Sequence, residues 1–574
     1  MFKKFIILLI CSMFFLLSLP QNLEVLAAGT DVVTFKDQNL EKAVRTQLNK
    51  TTGDITVADM ETLRTLTASD ANIVDLTGLE KAKYLTSLTL DNNKITSIEP
   101  LRNLIYLDQL NLFVNQIKSV EPLSSLKYLR SLFLGMNKIE DVTPLQNLTS
   151  LGNLDLSYNN ISNISALRNL TNLTYLSINF NQIAEIDLSN LSNLTRLIAS
   201  NNKLTSVNLS GTPRIRGLYL SNNSISSIDL TPIKPQTDGD TKEIFLSNNL
   251  LTNIDVKDIK NVSEINLAGN QLTAVDLTGV TTSSYNQVVF NLSNNKLESV
   301  TFPNARTTDI NVSHNQLKTL KVGSFSSYNN SFSLDAKYNP LTSVDFSGVS
   351  LTSYYGGTSV DLSHTNLTSL TMIKFPENGK LGALNLSDNG LQTVDFSGLS
   401  ATLLSQIGQI NLNNNEISSL DISGATNLSS LYLANNKLTS LGDIKGILSS
   451  YIRSLDLSNN GISDISDFIM EKQLQVINLA GTKVVDIFPL GLITELRDIN
   501  ISNTAVNDLS PLSGLPNLNA VNAENTLISD LSPLSKSVNL SNLNVANTKI
   551  TTLESLTNKN IYTLNVSNNH LTNL

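Results

Sequence analysis

LDQLNLFVNQIKSV, residues 107–120, decides the fold, because its apolar skeleton of Leu107, Leu110, Leu112, Ile117 and Val120 around Asn115 recurs along almost the whole chain. That pattern is a leucine-rich repeat. Leu110 and Leu112 alternate as in a short strand with one buried face, while Leu107, Ile117 and Val120 fill the interior before and after it. A single coil has no core of its own, so stability must come from stacking many coils on their neighbours. The expected fold is an α/β leucine-rich-repeat solenoid, a curved horseshoe or superhelix. A parallel sheet lines its concave face, and short helical, 3-10 or irregular returns line its convex face.

Leu63, Leu85, Leu107, Leu129, Leu151 and Leu173 mark the first coils, about 22 residues apart, and about 23 coils are expected over residues 63–574. Pro100-Leu101, Pro122-Leu123, Pro144-Leu145 and Ala166-Leu167 mark the early returns, where proline suits the first turn of a short helix. From about Ile183 the returns change to EIDLSNL, SVDFSGV and TVDFSGL, and the period drifts. Extra residues fall in turn-rich stretches such as TPIKPQTDGD (231–240), GSFSSYNNS (323–331) and IKFPENGK (373–380). The Asp of these returns (Asp187, Asp229, Asp276, Asp345, Asp395) reads as turn capping.

Upstream, FKDQNLEKAVRTQLNK (35–50) places Leu40, Val44 and Leu48 on one helical face with Asp37 as N-cap. Thr56 and Asp59 form the capping box of a second short helix, and Met60 and Leu63 point into the first coil. Residues 31–62 therefore read as a small α-helical N-terminal cap that shields the first repeat from water. Residues 1–27 read as a secretory signal: Lys3 and Lys4 precede an apolar run from Phe5 to Leu19, and Val25 and Ala27 supply small residues for cleavage. The only cysteine, Cys11, lies inside that run, so the secreted chain carries no disulfide scaffold. A net charge of −9 argues against nucleic acid or an anionic membrane as partner, and no later run is apolar for long enough to span a bilayer.

The Asn column (Asn93, Asn115, Asn137, Asn159, Asn181, Asn202, Asn223) is expected to be structural, each amide satisfying backbone groups at the bend after the strand. Thr482, Thr504, Thr526 and Thr548 take its place late in the chain. Function is expected on the inner face of coils three to nine, which offers Phe113, Val114, Phe133, Met136, Tyr158, Tyr175, Phe180, Ile198, Tyr219 and Phe245, with Arg196 as an ionic rim contact. Exposed aromatic surface of this extent marks a protein interface, against the plainer reading that the rings stack only on each other as cross-strand neighbours. Later coils carry Asn266, Asn291, Asn311, Asp335, Asp361, Asn385 and Asn411 in that row instead.

Other constellations are weaker. His314 and His364 share a column two coils apart with no third ligand, so no metal site is expected. Asp335 and Asp361 form a solvated carboxylate pair on adjacent coils, inert unless it holds a weak Ca²⁺. The chain contains no phosphate loop, no HExxH and no GxSxG, and no cofactor or catalysis is expected.

The segment FKDQNLEKAVRTQLNKTTGDITVADMETLRTL followed by LTSLTLDNNKITSIEPLRNL resembles the N-terminal cap and 22-residue repeats of internalin-like surface proteins of Gram-positive bacteria. The resemblance implies a secreted or wall-attached adhesin whose inner face binds a protein, such as a receptor on a host or neighbouring cell. The alternative is a non-catalytic wall-associated rod or glycan binder, for which the Asn-rich inner strands would suffice. Because the chain stops at NVSNNHLTNL inside a repeat, the natural protein is expected to continue, with immunoglobulin-like modules and a wall anchor.

Overall fold

A computed structural model describes residues 31–234, 241–282, 287–323, 325–326, 332–350, 358–377, 379–446, 451–470, 473–557 and 559–572. The signal segment 1–27 and parts of the three long returns lie outside the described residues. The chain divides into two compact units, residues 1–182 and 183–574.

The first unit begins with two helices. Gln38–Leu48 buries Leu40 and Val44, and Val57–Thr62 buries Met60 behind a complete capping box between Thr56 and Asp59. Asp37 joins the first helix to the coil that follows. One carboxylate oxygen accepts from the backbone N–H of Asn39 (2.8 Å) and Leu40 (3.2 Å), the other from Val74 (2.6 Å) and Asp75 (3.3 Å). Burial pushes the Asp37 carboxyl up, but the four backbone donors outweigh it and hold its pKa below the ordinary 3.8.

Parallel strands follow at Thr65–Thr67, Ser87–Thr89, Gln109–Asn111, Ser131–Phe133, Asn153–Asp155 and Tyr175–Ser177, each paired in register with the next. Their central residues Leu66, Leu88, Leu110, Leu132, Leu154 and Leu176 form one buried column. Each such side chain contributes about 1.5–3 kcal/mol on leaving water. The chain returns through 3-10 turns at Glu99–Leu101, Glu121–Leu123 and Thr143–Leu145, each with Pro in its first turn and Leu buried at its end.

The second unit repeats this plan from Arg196–Ile198 onward to Thr563–Asn565, again as a parallel sheet that advances one coil at a time. Its middle returns differ from the irregular turns that their composition implies. Strands Ala274–Asp276 and Ser299–Thr301 pair, as do Thr319–Lys321, Ser343–Asp345 and Ile373–Lys374, and Thr393–Asp395, Ser419–Asp421 and Ile444–Lys445. An aliphatic residue in each segment, buried except at the half-buried Val300, and the absence of proline let these segments extend and pair where the early returns coil. Asp276, Asp345 and Asp395 end their strands by accepting the N–H two residues on.

The Asn column binds coil to coil. Asn159 Nδ2 donates to Leu156 O (3.1 Å) in its own coil and to Leu134 O (3.0 Å) in the preceding one, while its Oδ1 accepts from Ile139 N (2.9 Å). Asn93, Asn115 and Asn181 repeat this pattern with side chains equally buried, and Asn137, Asn202 and Asn223 stand half-buried in the same column. Thr482, Thr504 and Thr526 donate to a carbonyl three residues back in their own coil, and Thr548 does the same while also reaching Asn569 Oδ1 of the next coil at 2.7 Å.

Asn159→Ala leaves buried backbone groups unpaired at about 1–3 kcal/mol each, so it is expected to lower the melting temperature more than Asn159→Thr does, as a thermal melt by circular dichroism would measure. Asp37→Asn has a single carbonyl oxygen to share between helix and coil, and is expected to speed hydrogen exchange at Leu40 or at Val74. Acid acts on the same region: the Lys50 ammonium and the Thr56 donors hold Asp59 down at about 2, so its contribution is complete above pH 3.8 and fades as pH falls toward 2. Proteolysis between residues 31 and 62 should rise over that window.

Candidate functional site

Two columns carry most of the side chains singled out for binding, and the backbone sets each apart. The first is the last residue of the short strand. In most coils it is Asn or Asp, whose Oδ1 accepts the N–H two residues on, as in Asn111 to Phe113 (3.1 Å) and Asp155 to Ser157 (2.8 Å). Phe133 stands between these two in register, and Ile198, Tyr219 and Phe245 hold the same position on successive strands of the second unit. A hydrocarbon side chain gives up that acceptor, worth about 0.5–1.5 kcal/mol. Folding does not favour the exchange.

The second column lies one residue before the buried Asn, where the backbone is left-handed in every such coil. Asn92, Asn201, Asn222, Asn294 and Gly269 occupy it as expected, since Asn and Gly tolerate positive φ. Val114 (φ 55°), Met136 (54°), Tyr158 (51°) and Phe180 (53°) occupy it on four successive coils of the first unit. The structure places these four at the corner just after the three-residue strand. Met136, Tyr158 and Phe180 are 44 %, 44 % and 41 % exposed, and Tyr158 stacks on Phe180 with centroids 4.1 Å apart. A β-branched or bulky residue at positive φ costs about 1–2 kcal/mol, and such strain gathers where function requires it.

Phe113 lies between these columns. Its ring crosses the next coil over Gly135, where a Cβ would come within 2.5 Å of the ring and 2.7 Å of Ser157 Oγ. The missing side chain of Gly135 is what lets Phe113 lie flat. Tyr175, at the start of its strand, is half-buried.

In the second unit Arg196 does not stand free as a rim contact. Its Nη2 donates to Tyr219 Oη (2.9 Å) and to Glu243 Oε2 (2.8 Å) two coils away, and Tyr219 Oη also donates to Glu243. Gly217 makes the crossing possible, since a Cβ there would lie 2.8 Å from both Arg196 Nε and the Tyr219 ring. Phe245 completes the cluster by stacking on Tyr219 at 5.1 Å. Burial and the Glu243 carboxylate push the Tyr219 phenol up to about 12, so it stays a proton donor. The ion pair itself is half-exposed and stabilises little; it fixes ring positions. Glu243 and Gly217 carry no repeat-level signal, and only their register with Arg196 reveals them.

His314 and His364 share the left-handed column, and Tyr338 stands between them, with centroids at 4.3 and 4.2 Å. Asp335 and Asp361 are direct neighbours across adjacent strands. Among the described residues no group of three His, Cys, Asp or Glu side chains is placed to hold a metal, and no helix is long and apolar enough to cross a membrane.

The family model for the leucine-rich-repeat domain of the endo-β-N-acetylglucosaminidase EndoS matches residues 35–159. A model for paired leucine-rich repeats matches residues 149–191 and 426–470. No curated protein matches the chain. Among solved structures, internalin C2 from Listeria monocytogenes is 38 % identical over 35 % of this chain and 89 % of its own, with a TM-score of 0.33. The plant peptide hormone receptor RGFR1, solved in complex with RGF2, is 19 % identical over 87 % of this chain and 89 % of its own, with a TM-score of 0.53. A TDR receptor aligns over 86 % of this chain and 91 % of its own at 16 % identity and a TM-score of 0.53. The two receptors share the fold alone. Identity to internalin C2 across most of that protein, together with the repeat models, carries the assignment: this chain belongs to the internalin-like leucine-rich-repeat proteins.

Proposed function

We propose that the chain is a secreted or cell-surface adhesin of a Gram-positive bacterium that binds a protein ligand, without catalysis, through the exposed side chains beside its strands. The observation that carries this reading is the run Val114, Met136, Tyr158 and Phe180. Four successive coils put an apolar side chain where the backbone favours Asn or Gly, with Met136, Tyr158 and Phe180 exposed and Val114 half-buried. Stability runs against that choice, and an apolar strip flanked by Phe113 and Phe133 suits the core of an interface. Tyr219 and Phe245, locked by Arg196 and Glu243, form a second aromatic group whose rings are held in place before a ligand arrives. Such preorganisation lowers the entropy lost on binding. The fold supports the reading, since solenoids of this kind serve as protein-interaction scaffolds and the likeness extends to a receptor solved in complex with RGF2.

The test exploits the strain. Val114→Asn and Met136→Asn remove an unfavourable backbone geometry and are expected to leave the melting temperature equal or higher. Tyr158→Asn and Phe180→Asn also lose a ring stack worth about 0.5–1.5 kcal/mol, so their net effect on stability is near zero. The fourfold variant should fold as well as the parent and lose binding to intact cells measured with the labelled protein. Protease-stripping the target cells should abolish parental binding. Parental binding that survives stripping, or a variant that binds as the parent does, would sink the proposal.

Gly135→Ala offers a milder probe. It is expected to displace the half-buried Phe113 ring and press on the buried Ser157 hydroxyl, weakening binding with a moderate fall in melting temperature.

A further inference from the structure

The second unit carries a surface of different chemistry from the apolar strip of the first. Asn311, Asp335, Asp361, Asn385 and Asn411 stand side by side on five successive strands, at the parallel spacing of about 4.8 Å. Each has committed one oxygen to its own bend: Oδ1 accepts from the N–H two residues on, at 3.0 to 3.3 Å in all five coils. That internal bond fixes the plane of every amide and carboxylate. The Nδ2 groups of Asn311 and Asn411 and the Oδ2 of Asp361 are left as donors and acceptors whose orientation is set before any ligand arrives, while Asn385 Nδ2 and Asp335 Oδ2 are engaged by neighbouring side chains.

The row is also roomy. Ser333, Ser359 and Ala383 open the same strands, and their small side chains leave a shallow depression of about 330 Å³ along the row. Three residues beyond Asp335 and Asp361 lie Tyr338 and His364, and with His314 they form a near-parallel stack, its planes 16° and 9° apart. All three rings are exposed and all three occupy left-handed positions, where other coils of this unit use Asn, Asp or Gly. Because the rings cover one another's faces, they present their edges, which alternate C–H with imidazole nitrogen and phenol O–H.

Charge narrows the choice of ligand. Lys337 Nζ lies 3.1 Å from Asp335 Oδ2, and Asn385 Nδ2 donates to Asp361 Oδ1 at 3.0 Å. Asp388 faces His364, with Oδ2 3.5 Å from Nε2. With Lys337 neutralising Asp335, the patch keeps two carboxylates, Asp361 and Asp388, on separate coils, which is the wrong sign for a polyanion and too few charges to hold a polycation. A linear polymer rich in hydroxyls fits better, since each hydroxyl both donates and accepts and so matches the amide, carboxylate, imidazole and phenol groups of the row and ridge.

We propose that the locked Asn/Asp row from Asn311 to Asn411, with the His314–Tyr338–His364 ridge beside it, is a binding groove for a neutral oligosaccharide. It is independent of the protein-binding strip in the first unit.

The experiment titrates the full chain with chitohexaose and cellohexaose by calorimetry, with dextran sulfate as the charged comparison. Saturable binding of at least one neutral oligosaccharide is expected, insensitive to salt. The combined variant His314→Asn, Tyr338→Asn and His364→Asn gives the left-handed column the residue its neighbours use, so it should fold and lose affinity by at least about tenfold. Ser359→Gln fills the depression without touching the ridge and should weaken binding similarly. The fourfold variant of the first unit should bind these sugars as the parent does, which separates failure here from failure of the adhesin reading. The proposal is overturned if neither neutral sugar binds, if both groove variants bind them like the parent, or if only dextran sulfate binds and added salt abolishes it.

Discussion

Everything in this protein rests on a buried side-chain amide that reaches across coils. A solenoid coil ends its strand by turning sharply, and the turn strips backbone N–H and C=O groups of partners in an apolar interior. The Asn column restores them in two directions at once, since one amide group donates within its coil and to the coil before and its oxygen accepts from that same earlier coil. No other common neutral side chain of that length offers both functions. The hydrophobic column supplies the larger free energy, but Leu110 on Leu132 would tolerate sliding. The amides set the register.

Once register is set, the residue before each Asn is forced into the left-handed region, and this single constraint turns the corner column into a record of selection. Where only folding matters, Asn, Asp or Gly occupies it. Where Val114, Met136, Tyr158, Phe180, His314, Tyr338 or His364 occupies it instead, the chain accepts strain on the order of 1–2 kcal/mol per site. The apolar run and the polar aromatic run fall in different units and point to different ligand chemistry. A protein interface needs desolvated hydrocarbon, and a sugar needs fixed hydrogen-bonding groups beside a partly apolar wall.

Glycine acts in the same economy of space. Gly135 and Gly217 sit in register with neighbours that carry side chains, and in each case the vacancy is filled from the adjacent coil, by Phe113 in the first unit and by Arg196 in the second. A substitution at either position therefore acts on a ring or a guanidinium one coil away. The Arg196, Tyr219 and Glu243 group also shows why an isolated arginine in a sequence is a poor guide to a free charge: its partner lies 47 residues further on.

The sequence alone determined the repeat, the buried columns and the Asn ladder, because each coil meets only its neighbours and a periodic pattern maps directly onto a periodic structure. It also determined the capping of both helices, whose signals are local, since Asp37 and the Thr56–Asp59 pair act within a few residues. The tertiary structure decided what period cannot encode. It revealed that Val114, Met136, Tyr158 and Phe180 lie at a strained corner, since φ has no signature in composition. It converted turn-rich middle returns into paired strands, since a strand is completed only by the coil beside it. It set Tyr338 between two histidines and Arg196 against Glu243, because contacts between side chains on different coils depend on register and spacing in three dimensions.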